Sequence, residues 1–303
     1  MGPPRRKSRH ATEAAPISGG GTSIVDLHTH TTRSDGVLEP AVLVRDVAAA
    51  GVRHLSITDH DSLAAYRELS ATPGSVPAGL ELIPGVEINA IARDIPLLDG
   101  ELHVLGFGMD PANEAFEAAL ARQRAARRLR FERTVRRLAE IGLPIDAQVA
   151  AIDLSRDDAL GRPTIARALI GAGFADSVED AFRRLLGWGS PAYVPREGMG
   201  PRDAIDAIHA ARGLPVLAHF SEAPGQLGLL RELRDAGLRG LEVYYRTFAP
   251  ETIVLVADVA KRLGLVATGG SDYHGDLMTY AEAHATLNVP PTVADALRLA
   301  LGD

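Results

Sequence analysis

Ile24-Val25-Asp26-Leu27-His28-Thr29-His30 is a short apolar run that leads directly into two histidines. Six similar runs recur along the chain, at residues 54–57, 82–86, 102–105, 214–217, 240–243 and 265–268. Short apolar runs bounded by glycine or polar residues are typical of buried parallel strands. The sequence therefore predicts seven parallel strands.

Helical patterns separate several of the predicted strands. They extend from Glu39 to Gly51, from Pro201 to Arg212, from Gly225 to Gly237 and from Pro250 to Leu263. Strands that alternate with helices are typical of βα units, and seven strands favour an α/β barrel over an open sheet. Residues 110–195 interrupt this alternation with helical patterns alone. We predict a barrel built from residues 23–109 and 196–303, with residues 110–195 as a helical insertion, or cap.

The composition narrows the possible functions. The chain has 303 residues, of which 46% are hydrophobic and 23% charged, as in ordinary globular proteins. No stretch approaches the roughly 18 uncharged apolar residues of a membrane span. The net charge of −7 argues against a generally basic nucleic-acid surface. Because the chain has no cysteine, any metal must be held by His, Asp, Glu or water.

The first 22 residues differ in composition from the rest. They are rich in Pro, Gly and Ser, which predicts a disordered tail. Arg5-Arg6 is not followed by an apolar core, so we do not interpret it as an export signal. Together with the absence of cysteine, this leads us to expect a cytoplasmic protein.

Nine histidines and carboxylates lie in or just after the predicted strands. They are His28, His30, Asp35, His60, Glu87, His103, His219, Asp272 and His274. Barrel enzymes build their sites from strand ends and the loops that follow. Side chains two positions apart in a strand share a face, so His28 and His30 are expected to point the same way. The nine residues therefore predict a metal site, whereas His10, His54, His209 and His284 fit ordinary core or surface positions.

Four motifs in this order resemble those of the PHP family, named after polymerase and histidinol phosphatase. They are DLHTHTTRSDG at 26–36, ITDHD at 57–61, PGVE at 84–87 and GGSDYHG at 269–275. Gly161-Arg162-Pro163 and residues 240–244 resemble the small stand-alone, TrpH/YciV-like phosphoesterase branch. Members of that branch act on nucleoside 3′,5′-bisphosphates, mononucleotides or short RNA 5′ ends. Two positions depart from the branch, Thr164 where His is usual and Phe220 where Pro is usual, which leaves the substrate open.

The resemblance implies a distorted (β/α)7 barrel that holds two or three divalent ions, of Mn, Zn or Fe. It implies one ion on His28, His30, Glu87 and Asp272. It implies a second on Glu87, His103 and His219, and a third on Asp35, His60 and His274. Glu87, which would bridge two ions, is the first candidate catalytic residue, together with Asp35 and His60.

Eight arginines between residues 122 and 137 form the densest charge cluster in the chain. Most of them fit a solvated helix face. Eight in sixteen positions cannot all share one face, however, because a helical turn takes about 3.6 residues. Arginine forks match phosphate oxygens. We therefore expect Arg127, Arg130 and Arg162 to bind the substrate.

These features predict a metal-dependent phosphoesterase that hydrolyses small nucleotides, a nucleoside 3′,5′-bisphosphate or a mononucleotide. Its expected partner is a small phosphorylated molecule, without a membrane or a stable nucleic-acid partner. A 5′-3′ exoribonuclease on short RNA ends and a histidinol-phosphate phosphatase remain alternatives. The non-enzymatic alternative is a structural metal-binding protein, although such sites are usually closed and four-coordinate.

Overall fold

The structure is a computed structural model that describes residues 22–92, 100–151 and 160–302. Within these ranges, seven strands form one sheet in chain order. They are β1 (Val25–Asp26), β2 (His54–Ile57), β3 (Glu81–Ile91), β4 (Glu101–Phe107), β5 (Leu214–Leu217), β6 (Gly240–Tyr245) and β7 (Val266–Gly270). The predicted α/β barrel is confirmed, with each strand close to one of the apolar runs.

The first and last strands approach each other and nearly close the barrel. The backbone N–H of Leu27 donates to the carbonyl of Gly269 at 3.2 Å, and that of His30 donates to Tyr273 at 2.9 Å. These bonds bring the His-x-His segment that follows β1 against the segment that follows β7. Two motifs almost 250 residues apart in the chain therefore meet at one end of the barrel.

The fourth strand corrects the prediction of an all-parallel sheet. β4 runs antiparallel to both β3 and β5, whereas the other neighbouring strands are parallel. Fewer than ten residues separate Ile91 from Glu101. A parallel pair needs a crossover of about a dozen residues or more, so β3 and β4 can pair only as a hairpin. The N-terminal part of β4, with His103, therefore lies where the other strands end.

Eleven α-helices are present in the described part of the chain. They are α1 (Pro40–Ala49), α2 (Ala64–Ala71), α3 (Glu114–Glu140), α4 (Asp146–Val149), α5 (Arg162–Gly171), α6 (Val178–Ala181), α7 (Pro201–Ala210), α8 (Leu227–Asp235), α9 (Pro250–Leu263), α10 (Tyr280–Ala285) and α11 (Thr292–Leu301). The four helices expected from the sequence correspond to α1, α7, α8 and α9. None of the helices in these described ranges is long and apolar enough to cross a membrane.

The helices between β4 and α7 pack around apolar side chains of their own. This cluster includes Phe131 and Leu138 of α3, Ile165 and Leu169 of α5, and Leu186 of the π-helical turn Phe182–Leu186. The N-terminal part of α3 packs instead on the barrel core through its buried apolar residues. The boundaries 110–195 stay a prediction, and the predicted tail, Thr22 apart, lies outside the described residues.

Candidate active site

Backbone pairing between the segments after β1 and β7 positions the first histidines. The N–H of Asp272 donates to the carbonyl of His28 at 2.8 Å. A β-carbon on Gly270 would lie 2.4 Å from the backbone nitrogen of His28, so only glycine permits this approach. Nε2 of His28 lies 3.3 Å from Oδ1 of Asp272, and Nε2 of His30 lies 3.2 Å from it. The two imidazoles thus face one carboxylate, as the period-two spacing predicts.

Glu87 lies at the centre of the histidine cluster. Its Oε2 is 3.3 Å from His28 Nε2, 3.2 Å from His30 Nε2 and 3.2 Å from His60 Nδ1. The other oxygen, Oε1, is 2.7 Å from His103 Nδ1 and 3.2 Å from His219 Nε2. One buried carboxylate therefore touches five imidazoles.

The position of Glu87 within its strand differs from the prediction. The sequence placed Glu87 at the end of the third strand, but β3 continues to Ile91 and Glu87 lies inside it. The extension follows from the hairpin, because Glu87 pairs with Leu105 and Ile91 pairs with Glu101 of β4. The backbone of Glu87 is therefore fixed on both sides, by the pairing with β4 and by an isolated bridge to His60.

All nine predicted residues come together in three groups. The groups are His30, Asp35, His60 and His274; His28, His30, Glu87 and Asp272; and Glu87, His103 and His219. Within each group, the nitrogen and oxygen atoms lie within 4.8 Å of one another. His30 belongs to two groups, which the sequence did not suggest.

The chemistry of the cluster fits divalent cations. His28 Nε2, His30 Nε2, His60 Nδ1 and Asp35 Oδ1 are buried and have no hydrogen-bond partner among the described residues. Buried polar atoms without partners are costly, and lone pairs that converge in this way suit a cation. Imidazole nitrogens and carboxylate oxygens are the donors that Zn, Mn and Fe accept.

The electrostatics of the cluster keep its acids ionised. Burial would raise the pKa of Glu87, but the imidazoles of His60 and His103 hold it well below its usual range. Burial would also raise the pKa of Asp35, yet the imidazoles of His60 and His274 hold it well below its usual range. Burial lowers the pKa of His60 to about 3, whereas Asp35 overcomes the effect of burial and raises the pKa of His274 to about 10. The acids of the cluster are therefore ionised.

Further acids hold the cluster in place. Oε1 of Glu242 lies 3.0 Å from Nδ1 of His28, which leaves Nε2 to face the cluster. Asp59 accepts hydrogen bonds from Ser34 Oγ at 2.6 Å and from the Thr31 N–H at 2.7 Å. These bonds shape the turn that carries Asp35.

Backbone strain is concentrated at the same place. Non-glycine residues with positive φ include Asp61 at 54°, His219 at 52° and Asp272 at 50°. Each adopts a conformation that L side chains rarely take and that costs about 1–3 kcal/mol. Two of them belong to the cluster and Asp61 follows His60, so the surrounding contacts impose the strained geometry.

A cavity of about 150 Å³ connects the cluster to the helices between β4 and α7. Part of its lining comes from the cluster and part from arginines of α3, α5 and the segment before α7. The lining includes Asp35, His60 and His103, together with Arg127, Arg130, Arg162 and Arg196. The cavity therefore joins the candidate metal ligands to the three arginines that the sequence singled out.

Two acids anchor the arginines around this cavity. Asp61 Oδ2 pairs with Nη2 of Arg127 and lies 3.2 Å from Nη2 of Arg196. Glu101 Oε1 lies 2.7 Å from Arg130 Nη1 and 3.3 Å from Arg162 Nη2.

Several guanidinium nitrogens are nevertheless buried without partners among the described residues. These nitrogens are Arg127 Nε, Arg130 Nη2 and Arg162 Nη1. The described lining holds four guanidiniums and the carboxylates of Asp35 and Glu101, so it carries an excess of positive charge.

Sequence reasoning missed three residues of this region: Glu101, Arg196 and Glu242. No local pattern marks Arg196, because its partner Asp61 lies 135 residues away. Glu242 could have been noticed, since a carboxylate within the apolar run 240–243 needs a buried partner. Glu101 could have been noticed too, because it lies two positions before His103 in a strand and so shares its face.

Three overlapping His–carboxylate groups at the end of a barrel, open to an arginine-lined cavity, are the arrangement expected of a metal-dependent phosphoesterase. No family model matches the chain. The chain is 34% identical over 259 residues to the 5′-3′ exoribonuclease Rnm of Salmonella typhimurium. The aligned region covers 83% of this chain and 85% of the relative. It is 29% identical over 275 residues to the 3′,5′-nucleoside bisphosphate phosphatase of Chromobacterium violaceum. The aligned region covers 88% of this chain and 93% of that relative.

A solved structure points the same way. A Bifidobacterium adolescentis protein described as a metal-dependent phosphoesterase matches with a TM-score of 0.75 and 31% identity, over 90% of this chain and 95% of that one. The chain belongs to the family of PHP-type metal-dependent phosphoesterases, and it is a hydrolase of phosphate esters.

Proposed function

We propose that the enzyme removes a phosphate from small nucleotides, either a nucleoside 3′,5′-bisphosphate or a mononucleotide. The observation that carries this proposal is the cavity shared by the His–carboxylate cluster and the arginines. A phosphate ester in it would have metal ligands on one side and guanidinium donors on the other. The C. violaceum relative, which is named for a nucleoside bisphosphate, supports the same substrate class.

We propose that the cluster holds two or three ions of Mn, Zn or Fe, with one group of ligands for each ion. The overlap at Glu87 makes its carboxylate the natural bridge between two ions, since each oxygen serves a different group. The chemistry that such ions supply when bound is neutralisation of phosphoryl oxygens and activation of water at neutral pH.

The chain's own residues have distinct tasks in this proposal. Asp35 and His60 line the cavity, so the part of the cluster that they form would be the part that faces the phosphate. The unpartnered nitrogens of Arg127, Arg130 and Arg162 would bind phosphate oxygens. Asp61 and Glu101 would hold these arginines in place without taking up all of their donors.

The shape and charge of the site favour a small substrate. The cavity is small, and the chain carries a net charge of −7. A long polyanion would be repelled by that charge, and no basic track is needed to bind a single phosphate end. We therefore propose a small-molecule partner. The cytoplasmic location expected from the sequence is a separate proposal.

The decisive experiment is a phosphate-release assay on the purified protein with added Mn, Zn or Fe. The substrates are a nucleoside 3′,5′-bisphosphate, the corresponding mononucleotide, histidinol phosphate and a 5′-phosphorylated oligonucleotide of about twenty residues. We expect the highest kcat/KM for one of the two nucleotides, and loss of activity in metal-stripped protein and in Glu87→Ala. Faster turnover of histidinol phosphate, or release that persists without metal, would contradict the proposal.

A 5′-3′ exoribonuclease is the second candidate. The match to the S. typhimurium exoribonuclease Rnm across 83% of the chain favours it. A 5′-phosphorylated RNA oligonucleotide separates the two candidates when the release of nucleoside monophosphates is measured beside the release of phosphate. If it has the highest kcat/KM and loses nucleotides stepwise from its 5′ end, the exoribonuclease replaces the small-nucleotide phosphatase.

A further inference from the structure

Trp188 is the chain's only tryptophan, and it lies at the surface. The residue is 59% exposed, in the segment between the π-helical turn Phe182–Leu186 and α7. A tryptophan is usually largely buried, since its ring loses favourable burial when it faces water. Single exposed apolar side chains are common on protein surfaces, so the contacts of Trp188 decide whether its exposure has a function.

The indole is held in place although it is exposed. Its ring centroid lies 5.2 Å from that of Tyr193, at an interplanar angle of 55°. A β-carbon on Gly100 would lie 3.3 Å from Cζ3 of Trp188, so the indole packs against bare backbone. Trp188 is therefore supported from two directions, by an aromatic ring and by a glycine that leaves it room.

Tyr193, which packs against Trp188, also contacts an arginine of the cavity. The guanidinium of Arg130 lies over the Tyr193 ring, with its Cζ 5.9 Å from the centroid. Nε of Arg130 donates to the carbonyl of Val194 at 2.9 Å, and Nη1 donates to Glu101 at 2.7 Å. Gly100, beneath the indole, directly precedes Glu101. The surface tryptophan and the cavity thus share one short set of contacts.

The dimensions leave the base of a nucleotide outside the cavity. Pockets that enclose a whole small molecule measure about 300–1,000 Å³, whereas this cavity measures about 150 Å³. It suits a phosphate with part of a sugar. Gly100, just before β4, lies three residues before His103, or roughly 10 Å along the chain at about 3.3 Å per residue. A base attached to that sugar would then lie at the level of Trp188.

We propose that Trp188, supported by Tyr193, is the stacking platform for the nucleobase of the substrate. This inference rests on the proposed function, because it assumes that the phosphate of a nucleotide occupies the cavity. Every base has a π-face, so a single aromatic ring binds nucleotides with little preference for one base over another. Trp188 then selects nucleotides over sugar phosphates, whereas the arginines bind both.

The unique tryptophan gives a binding assay that needs no turnover. The metal-loaded protein is titrated with a phosphonate analogue of AMP, in which carbon replaces the ester oxygen, and its tryptophan emission is recorded. The matched ligand is the phosphonate analogue of ribose 5-phosphate, which lacks the base. We expect saturable quenching by the adenosine analogue and none by the ribose analogue. Equal responses to both, or no response to either, would overturn the platform.

Kinetics of Trp188→Ala and Trp188→Phe complete the test. Loss of one base–aromatic stack should lower kcat/KM for a nucleotide about fivefold to a hundredfold, mainly through KM. Phe should restore most of that loss, and kcat/KM for ribose 5-phosphate should not change. Leu299→Ala, which alters an exposed apolar side chain of α11, is the matched control with parental kinetics.

The outcomes separate the platform from the proposed function. If the parent releases phosphate from nucleotides and Trp188→Ala matches it, the platform is wrong and the proposed function stands. If the parent releases no phosphate from any nucleotide, the proposed function fails and the platform fails with it.

Discussion

Replacing Arg162 by alanine should weaken catalysis while leaving both the fold and the metal content intact. In the structure, Nη1 of Arg162 is buried without a partner among the described residues, and Nη2 lies 3.3 Å from Glu101. A charge-assisted hydrogen bond to phosphate contributes about 1.5–3 kcal/mol. Its loss should therefore lower kcat/KM about tenfold to a hundredfold.

The effect of this substitution on stability should be small. Glu101 keeps ion pairs with Arg130 and Arg196 in the variant. The remaining loss is the cation–π contact of the Arg162 guanidinium with Phe182, at 5.2 Å, which contributes about 0.5–1 kcal/mol. In a chain of this length such a loss lowers Tm by only a few degrees.

The assay measures kcat/KM with a nucleotide, metal content by mass spectrometry, and Tm. Arg167→Ala is the matched control, because Arg167 belongs to the same helix and pairs with Asp276 at the surface. We expect parental kinetics for this control. If Arg162→Ala retains parental kcat/KM, the phosphate is not bound by this guanidinium, and the cavity has another role.

Three further predictions concern the metal cluster. Glu87→Ala should lose most bound metal and activity, because Glu87 belongs to two of the three ligand groups, whereas His60→Ala should lose one ion. Equal metal contents in the two variants would argue against a bridging Glu87. Asp59→Asn should destabilise the fold by about 1–3 kcal/mol, since Asp59 accepts at least three buried hydrogen bonds next to Asp35, and an unchanged Tm in thermal unfolding would refute this. Chelation should lower Tm by several degrees, because ligands that bind only the folded state stabilise it, and restoration of Tm on adding Mn back is the control.

The sequence predicted the parts of the site that follow from local periodicity. His28 and His30 share a face because side chains alternate along an extended chain. Asp272 and His274 follow the last apolar run directly, and barrel topology brings that run beside the first. These inferences needed only strand positions, which the apolar runs marked to within a few residues.

The errors and omissions have a common physical cause. Glu87 lies inside β3 and not at its end, because β3 extends through its hairpin with β4. The partnership of Arg196 with Asp61 depends on how the helices between β4 and α7 dock onto the barrel. Contacts of this kind join residues far apart in the chain, so no local pattern reveals them.

The charges around the cavity explain why the two halves of the site depend on each other. Asp35, Glu87 and Asp272 place negative charge at the barrel end, whereas four arginines place positive charge in the cavity next to it. A phosphate anion is attracted by the arginines and repelled by bare carboxylates. With divalent ions bound, that repulsion becomes attraction, so one phosphate ester can contact both parts of the lining. Loss of an arginine should therefore weaken binding in a metal-replete enzyme, whereas loss of Glu87 should remove the ions that make the barrel end attractive at all.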